Sequence, residues 1–229
     1  RILRRKFYSP IRTRDAVDPT PFRSLVHGGI MHGGQLLDAD KQLEASSYFG
    51  PTSGFGRLFA ALPDAPRRVG IIGLGAGSIA AHARAGDVFR CYENNPQVVD
   101  LAYSESSFLS ATRAKTEVIL GDGRHSMERE PAQQYDVIAV DAFSGDAIPM
   151  HLLTRESLAT YLRHLKPDGV IAFQATNRFV DIAPVVERLA AERGMTVVMI
   201  ADYPESGDDA SFWLSSTDQI LVTRNGALL

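Results

Sequence analysis

The sequence predicts an α/β protein: a doubly wound, mostly parallel sheet preceded by a small β-hairpin subdomain. Three observations carry this expectation. From Arg67 onward, short apolar runs alternate with helical patterns. A β-branched run, Arg68 to Ile72, opens directly into Gly73-Leu74-Gly75-Ala76-Gly77-Ser78. An acid, Glu93, then follows the glycine loop at the spacing of about 20 residues expected of a nucleotide-binding unit.

Residues 1–50 are expected to form the hairpin subdomain and residues 51–229 the main domain. Lys6 to Thr13 and Arg23 to Ile30 read as strands on either side of the turn-rich Asp18-Pro19-Thr20-Pro21, and Leu36-Leu37 ends a second hairpin arm. The stretch from His27 to Gln35 is dense in glycine, which suits bending or close backbone approach. Arg57 to Leu62 reads as a short helix closed by Pro63 and Pro66. In the main domain, Ile79 to Ala85 is expected as the helix after the glycine loop, and Asp87 to Tyr92 as the next strand. Pro96 to Tyr103 suits a helix with proline in its first turn. Thr116 to Leu120 runs as a strand into Gly121-Asp122-Gly123, and Tyr135 to Val140 as another into Asp141. Thr154 caps a helix through His164, and Lys166-Pro167-Asp168-Gly169 is the expected turn before the strand Val170 to Ala175. Asp181 to Arg193 is an amphipathic helix stopped by Gly194, and Met195 to Ala201 and Gln219 to Thr223 close the sheet. Gly73, Glu93, Asp122 and Asp141 thus share the C-terminal edge of the strands, where open parallel sheets bind ligands.

Composition narrows the class of function. The 229 residues are 45% hydrophobic and 22% charged, an ordinary balance for a globular core. A net charge of −3 gives no basis for nucleic-acid binding. The single cysteine, Cys91, excludes an internal disulfide framework and reads as a core thiol in a reducing compartment. No apolar run reaches the roughly 20 residues that span a bilayer, and no signal peptide is recognisable. The basic cluster Arg1 to Lys6 fits a solvated tail or the cytoplasmic flank of a membrane helix in a longer parent chain.

The candidate site residues follow from chemistry. Gly73, Gly75 and Gly77 remove side chains where the strand turns and a ligand approaches the backbone. Glu93 can accept both hydroxyls of a ribose. Asp122, followed by Gly123, can accept from an adenine amino group or serve as a plain Asp-Gly turn residue. Asp141, with Asp146 farther along its loop, can hold an amine's ammonium form beside an adenosyl ligand and take its proton as the amine attacks carbon; a helix cap and a turn are the alternative. His27 and His32 lie in the glycine-rich segment, but no acids or cysteines complete a shell, so no metal is expected. Neither Ser78 nor Ser144 makes a G-x-S-x-G elbow, which argues against triad hydrolysis. Gln35, Tyr48 and Gln174 are polar groups that pattern alone does not separate from ordinary turn or core hydrogen-bonders. The acidic stretch 202–209 suits either a solvated loop or attraction of a cationic substrate.

Together these residues resemble the spermidine synthase-like group of the AdoMet-dependent methyltransferase fold, over nearly the whole chain. The resemblance rests on His32-Gly33-x-Gln35, Tyr48, the glycine loop, Glu93, Gly121-Asp122-Gly123 and Asp141. It is nearest to soluble domains fused behind membrane helices in bacteria, through Arg5-x-Phe7-Tyr8, Tyr48-Phe49-Gly50-Pro51-x-Ser53-Gly54, Asp141 to Pro149, and Asn177-Arg178-Phe179-x-Asp181. It implies a Rossmann-like, AdoMet-binding catalytic domain over residues 51–229, with Glu93 on the ribose, Asp122 on adenine, and Gln35 and Tyr48 on the tail or acceptor side. Asp141 would be the first acid of the catalytic motif. The implied reaction moves an aminopropyl group from decarboxylated AdoMet to a small, putrescine-like amine and releases methylthioadenosine, without a metal. A homodimer and a cytoplasmic location, as a free protein or as the cytoplasmic domain of an inner-membrane protein, are implied in the same way. The sequence departs from the group in three places. Ala76 stands where an acid usually grips the aminopropyl amine, Ser144 replaces the second acid, and Phe49 and Gly50 replace a histidine and a glutamate. Two other readings remain open on these departures: use of intact AdoMet, by methyl transfer or by lyase or cyclase chemistry, and a non-catalytic nucleoside-sensing module of a membrane protein.

Overall fold

The computed structural model describes residues 3–4, 11–27, 30–142, 148–176, 180–204 and 212–228. Its N-terminal part is an antiparallel sheet in the order β1 (Leu3–Arg4), β2 (Ile11–Ala16), β3 (Phe22–His27) and β4 (Ile30–Leu36). The first arm runs on to Ala16, past the expected Thr13, while β4 ends at Leu36 as expected. Arg23 to Ile30 is not one strand; β3 ends at His27 and β4 begins at Ile30, pairing back on β3 from Phe22↔Leu36 to His27↔Ile30.

Local chemistry sets the elements that follow. Ser53 Oγ accepts the Gly56 N–H at 3.1 Å and starts α1 (Gly54–Ala61), three residues earlier than Arg57, because the cap outweighs the poor helix propensity of two glycines. β5 (Arg68–Ile72) leads into the glycine loop. The next element is a 3-10 turn, Ser78–His82, rather than the helix expected over Ile79 to Ala85. Groups outside the turn take the hydrogen bonds that would have extended it: Arg67 Nη2 donates to the His82 carbonyl and Asp87 Oδ2 accepts the Arg84 N–H, both at 2.8 Å. β6 (Val88–Glu93) and α2 (Pro96–Ser104) follow, the latter capped by Asn95 with proline at its start. A short α3 (Phe108–Ala111) precedes β7 (Lys115–Leu120), and Asp122 caps α4 (Gly123–Arg129). β8 (Tyr135–Val140) and α5 (Arg155–His164), with a Thr154–Ser157 capping box, fall where the sequence puts them. The Lys166 to Gly169 stretch is not a turn but part of β9 (Leu165–Gln174), whose irregular register against β8 absorbs it. α6 (Ala183–Ala191) is shorter than expected; Asp181 lies before it and accepts the Ala183 N–H at 2.9 Å. β10 (Thr196–Asp202) and β11 (Thr217–Thr223) complete the sheet.

The main sheet has the order β10-β11-β9-β8-β5-β6-β7. The strands from β9 to β7 pair in parallel, and β11 runs antiparallel to β9 and β10. The two-residue strand period divides the core. Val69, Ile71, Val137 and Ala139 face a cluster with Phe55, Phe59 and Phe89, whereas Ile72, Ile138 and Val140 face one with Met127, Leu158 and Tyr161. Cys91 is buried in the first cluster, where burial and then the charge of Glu93 push its thiol up to about 12.

His82 makes stability sensitive to acid. Its ring stacks on Phe59 with centroids 5.1 Å apart, and Nε2 lies 2.8 Å from the Phe49 carbonyl oxygen. Burial foremost, opposed by that carbonyl and reinforced by the Arg67 charge, lowers its pKa from 6.5 to about 4. Below pH 6.5 the unfolded chain therefore binds more protons at this ring than the native one. The contribution is intact above that pH and is lost as pH falls toward 4, worth at most about 3 kcal/mol. Urea unfolding from pH 7 to 4.5 is expected to show a shallower loss of stability in His82→Gln, which keeps a donor for Phe49 but does not titrate. Equal pH slopes would refute this.

Candidate active site

The strand order places Asp141 after β8, Gly73 after β5, Glu93 at the end of β6 and Asp122 after β7, in a row along one edge. All four line a single cavity. Its other walls come from Ile11, Leu25 and His32 of the antiparallel sheet, from Tyr48, and from His151 and Leu152 of a 3-10 turn, Met150–Leu152.

The floor is the glycine loop. Gly73 has φ 96° and donates its N–H to the Tyr92 carbonyl at 2.9 Å; a Cβ there would lie 2.3 Å from the Asp141 carbonyl oxygen. At Gly75, φ 53°, a Cβ would lie 2.6 Å from the His32 carbonyl oxygen. These close approaches let β8 and the hairpin sheet press on the loop. Gly73→Ala is expected to destabilise the fold by roughly 2–5 kcal/mol, from left-handed backbone strain plus the clash; an unchanged urea midpoint would refute it. Gly123 also lines the cavity, over Ile72, whereas Gly77 packs toward Phe108 and Leu109 and is not part of its lining.

Glu93 is buried, with Oε2 accepting the Leu74 N–H at 3.0 Å and Oε1 the Asn95 N–H at 2.8 Å. The carboxylate thus ties the glycine loop to the start of α2. Burial raises its pKa despite the opposing backbone amides of Leu74, Asn95 and Asn94. A carboxylate offers about four acceptor positions, so capacity remains toward the cavity.

Asp141 is strongly perturbed. Oδ2 accepts the Tyr48 hydroxyl at 3.1 Å, whereas Oδ1 is buried with no partner among the described residues. Burial pushes its pKa well up; the Tyr48 hydrogen bond opposes the rise and the Glu93 charge adds to it. Tyr48 is itself held protonated, chiefly by burial and by the Asp141 charge. Its backbone is fixed through the buried Gln219, which donates to the Tyr48 carbonyl and accepts the Phe55 N–H, both at 2.8 Å.

Other predicted residues fare differently. Asp122 lines the cavity but also caps α4, with Oδ1 on the His125 N–H at 2.9 Å and Oδ2 on His151 Nε2 at 2.8 Å. Burial pulls its pKa up, but these two partners outweigh it and hold the carboxyl below its usual range. Gln35 is not brought to the cavity. Its amide donates to the Gln42 carbonyl and to Ser107 Oγ, and accepts the Ser107 N–H at 3.1 Å, so it locks α3 to the hairpin sheet. Gln174 is a core hydrogen-bonder that accepts from Thr217 Oγ1 at 2.9 Å. Asp146, Ser144 and most of the Asn177-to-Asp181 stretch lie outside the described residues. Ala76 is buried in an apolar cluster with Ile11, Leu25 and Leu101. His151, His32 and Asn94 are cavity residues that sequence reasoning missed or misjudged. For His32, the glycine-rich setting and the His32-Gly33-x-Gln35 motif are the signals in the sequence that point to close approach.

No family model matches the chain. Over 111 residues it is 37% identical to a polyamine aminopropyltransferase from Vibrio vulnificus (strain CMCP6), covering 46% of this chain and 36% of that protein. The match thus spans little more than a third of the relative's length. Among solved structures, a probable spermidine synthase from Corynebacterium glutamicum ATCC 13032 superimposes with a TM-score of 0.71 at 19% identity, over 96% of this chain and 78% of that one. A spermidine synthase in complex with the transition state analogue AdoDATO gives 0.68 at 18% identity, over 98% of this chain and 73% of that one. Human methyltransferase-like protein 13 in complex with SAH gives 0.54 at 19% identity, over 73% of this chain and 78% of that one. The chain shares the fold of these structures, the methyltransferase fold its motifs predict.

Proposed function

We propose that this spermidine synthase-like chain is an aminopropyltransferase, moving the aminopropyl group of decarboxylated AdoMet onto a small, putrescine-like amine. The observation that carries the reading is Asp141: a buried carboxylate at the cavity wall, braced on one oxygen by Tyr48 and with its other oxygen free of partners among the described residues. A cationic amine is the ligand such a group favours, because it offsets the cost of the buried charge. The row along the sheet edge then orders the donor, with adenine toward Asp122, ribose on Glu93, and the sulfonium and its tail over the glycine loop toward Asp141. Asp141 takes a proton from the acceptor's ammonium group. The freed nitrogen lone pair attacks the carbon next to sulfur, the carbon–sulfur bond breaks, and its electron pair neutralises the sulfonium as methylthioadenosine leaves. The sulfonium supplies its own leaving-group activation, so alignment and deprotonation carry the rate.

The resemblance also supports a cytoplasmic site of action, a homodimer, a membrane portion in a longer parent, and the division at residues 50 and 51. No helix among the described residues is long and apolar enough to cross a membrane. The decisive experiment incubates the protein with putrescine and either decarboxylated or intact AdoMet, and identifies products by mass spectrometry. Methylthioadenosine and spermidine from the decarboxylated donor are expected. S-Adenosylhomocysteine from the intact donor, with no spermidine from the other, would overturn the proposal in favour of methyl transfer.

A further inference from the structure

We propose that His151, oriented by Asp122, reads the exocyclic amino group of the bound nucleoside, so that the site accepts a 6-aminopurine and rejects a 6-oxopurine. This rests on the adenosyl reading above and assigns the base recognition differently from the sequence, which gave it to Asp122 itself. Each Asp122 oxygen holds a protein group in place, the His125 N–H at 2.9 Å and His151 Nε2 at 2.8 Å, so the carboxylate anchors the ring. A carboxylate only accepts, so Nε2 carries the proton, and in the neutral ring Nδ1 becomes the acceptor. The ring is 42% exposed and lines the cavity beside Asp122, at the β7 end of the sheet edge. Its segment is held on both sides. Arg124 Nη1 donates to the His151 carbonyl at 2.8 Å, and the Tyr161 hydroxyl donates to the Leu152 carbonyl at 3.0 Å. A fixed acceptor at that end suits an amino group and opposes a carbonyl oxygen. Asp122 is then a positioning residue that sets the tautomer.

The test is calorimetric titration of methylthioadenosine and of methylthioinosine, its 6-oxo counterpart, into the wild type and two variants. The wild type is expected to prefer the amino nucleoside by roughly 10-fold or more. His151→Phe, at an exposed position, should bring the ratio near unity. Asp122→Asn should do something a merely structural role would not. Its amide oxygen keeps the α4 cap while its NH2 donates to Nε2, which moves the ring proton to Nδ1 and shifts preference toward the oxo nucleoside. Methylthioadenosine binding with an unchanged ratio in both variants would overturn the role of His151 alone. Failure of the wild type to bind either nucleoside would overturn the adenosyl reading and this inference with it.

Discussion

Asp141→Asn is expected to lower aminopropyl transfer by roughly 1000-fold while leaving methylthioadenosine affinity within a few-fold. The asymmetry follows from where the side chain sits. It is at the β8 end of the site, bonded to Tyr48 rather than to the groups beside Glu93 and Asp122, so the amide removes the proton acceptor and the charge without touching the nucleoside end. Asparagine can still accept the Tyr48 hydroxyl, and it relieves a buried charge whose pKa is already pushed well up by burial. Thermal stability should therefore hold or rise. The pH profile adds an independent check. Only the ionised carboxylate can take the proton, so activity should fall as pH drops through the raised Asp141 pKa, and that acid limb should vanish in the variant. Wild-type turnover in Asp141→Asn, or an unchanged acid limb, would remove Asp141 from the chemistry.

What could be read from the sequence, and what could not, divides by the range of the interaction. Gly73, Glu93 and the strand Tyr135 to Val140 were legible because strand periodicity, positive-φ glycine and strand-end placement are local properties. The Thr154 cap was legible for the same reason. The tie of Gln35 to α3 was not legible because its partner, Ser107, lies 72 residues away and becomes a neighbour only when α3 docks on the hairpin sheet. His151 went unseen because its tie to Asp122 forms only when the chain beyond β8 returns toward the end of β7. Lys166 to Gly169 has the composition of a turn, yet it is carried inside β9 as an irregularity between the Tyr135↔Leu165 and Val137↔Val170 pairs, because β8 pairs with the strand on both sides of it. The glycine loop was expected to start an α-helix; Arg67 and Asp87, held together by a buried ion pair at 2.6 Å, claim the peptide groups that would have continued it.

Glu93→Ala is expected to weaken binding of any adenosyl ligand by more than roughly 100-fold and to cost about 2–5 kcal/mol of stability. The two effects are coupled, because the ribose acceptor is also the clasp of the loop. Truncation leaves the Leu74 and Asn95 N–H groups without acceptors and lets the glycine loop part from the start of α2. Glu93→Gln separates binding from stability. It keeps the volume, but its NH2 must face a backbone N–H that now lacks an acceptor, so its stability should fall between alanine and wild type. It also removes a negative charge that raises the Asp141 pKa. If the variant retains turnover, the acid limb of its pH–rate profile should therefore move to lower pH, although residue 93 does not touch the acceptor amine. That shift, read together with the affinity loss, would tie the nucleoside end of the cavity to the chemistry at its other end. Unchanged adenosyl affinity in Glu93→Ala would mean that the loop binds something else.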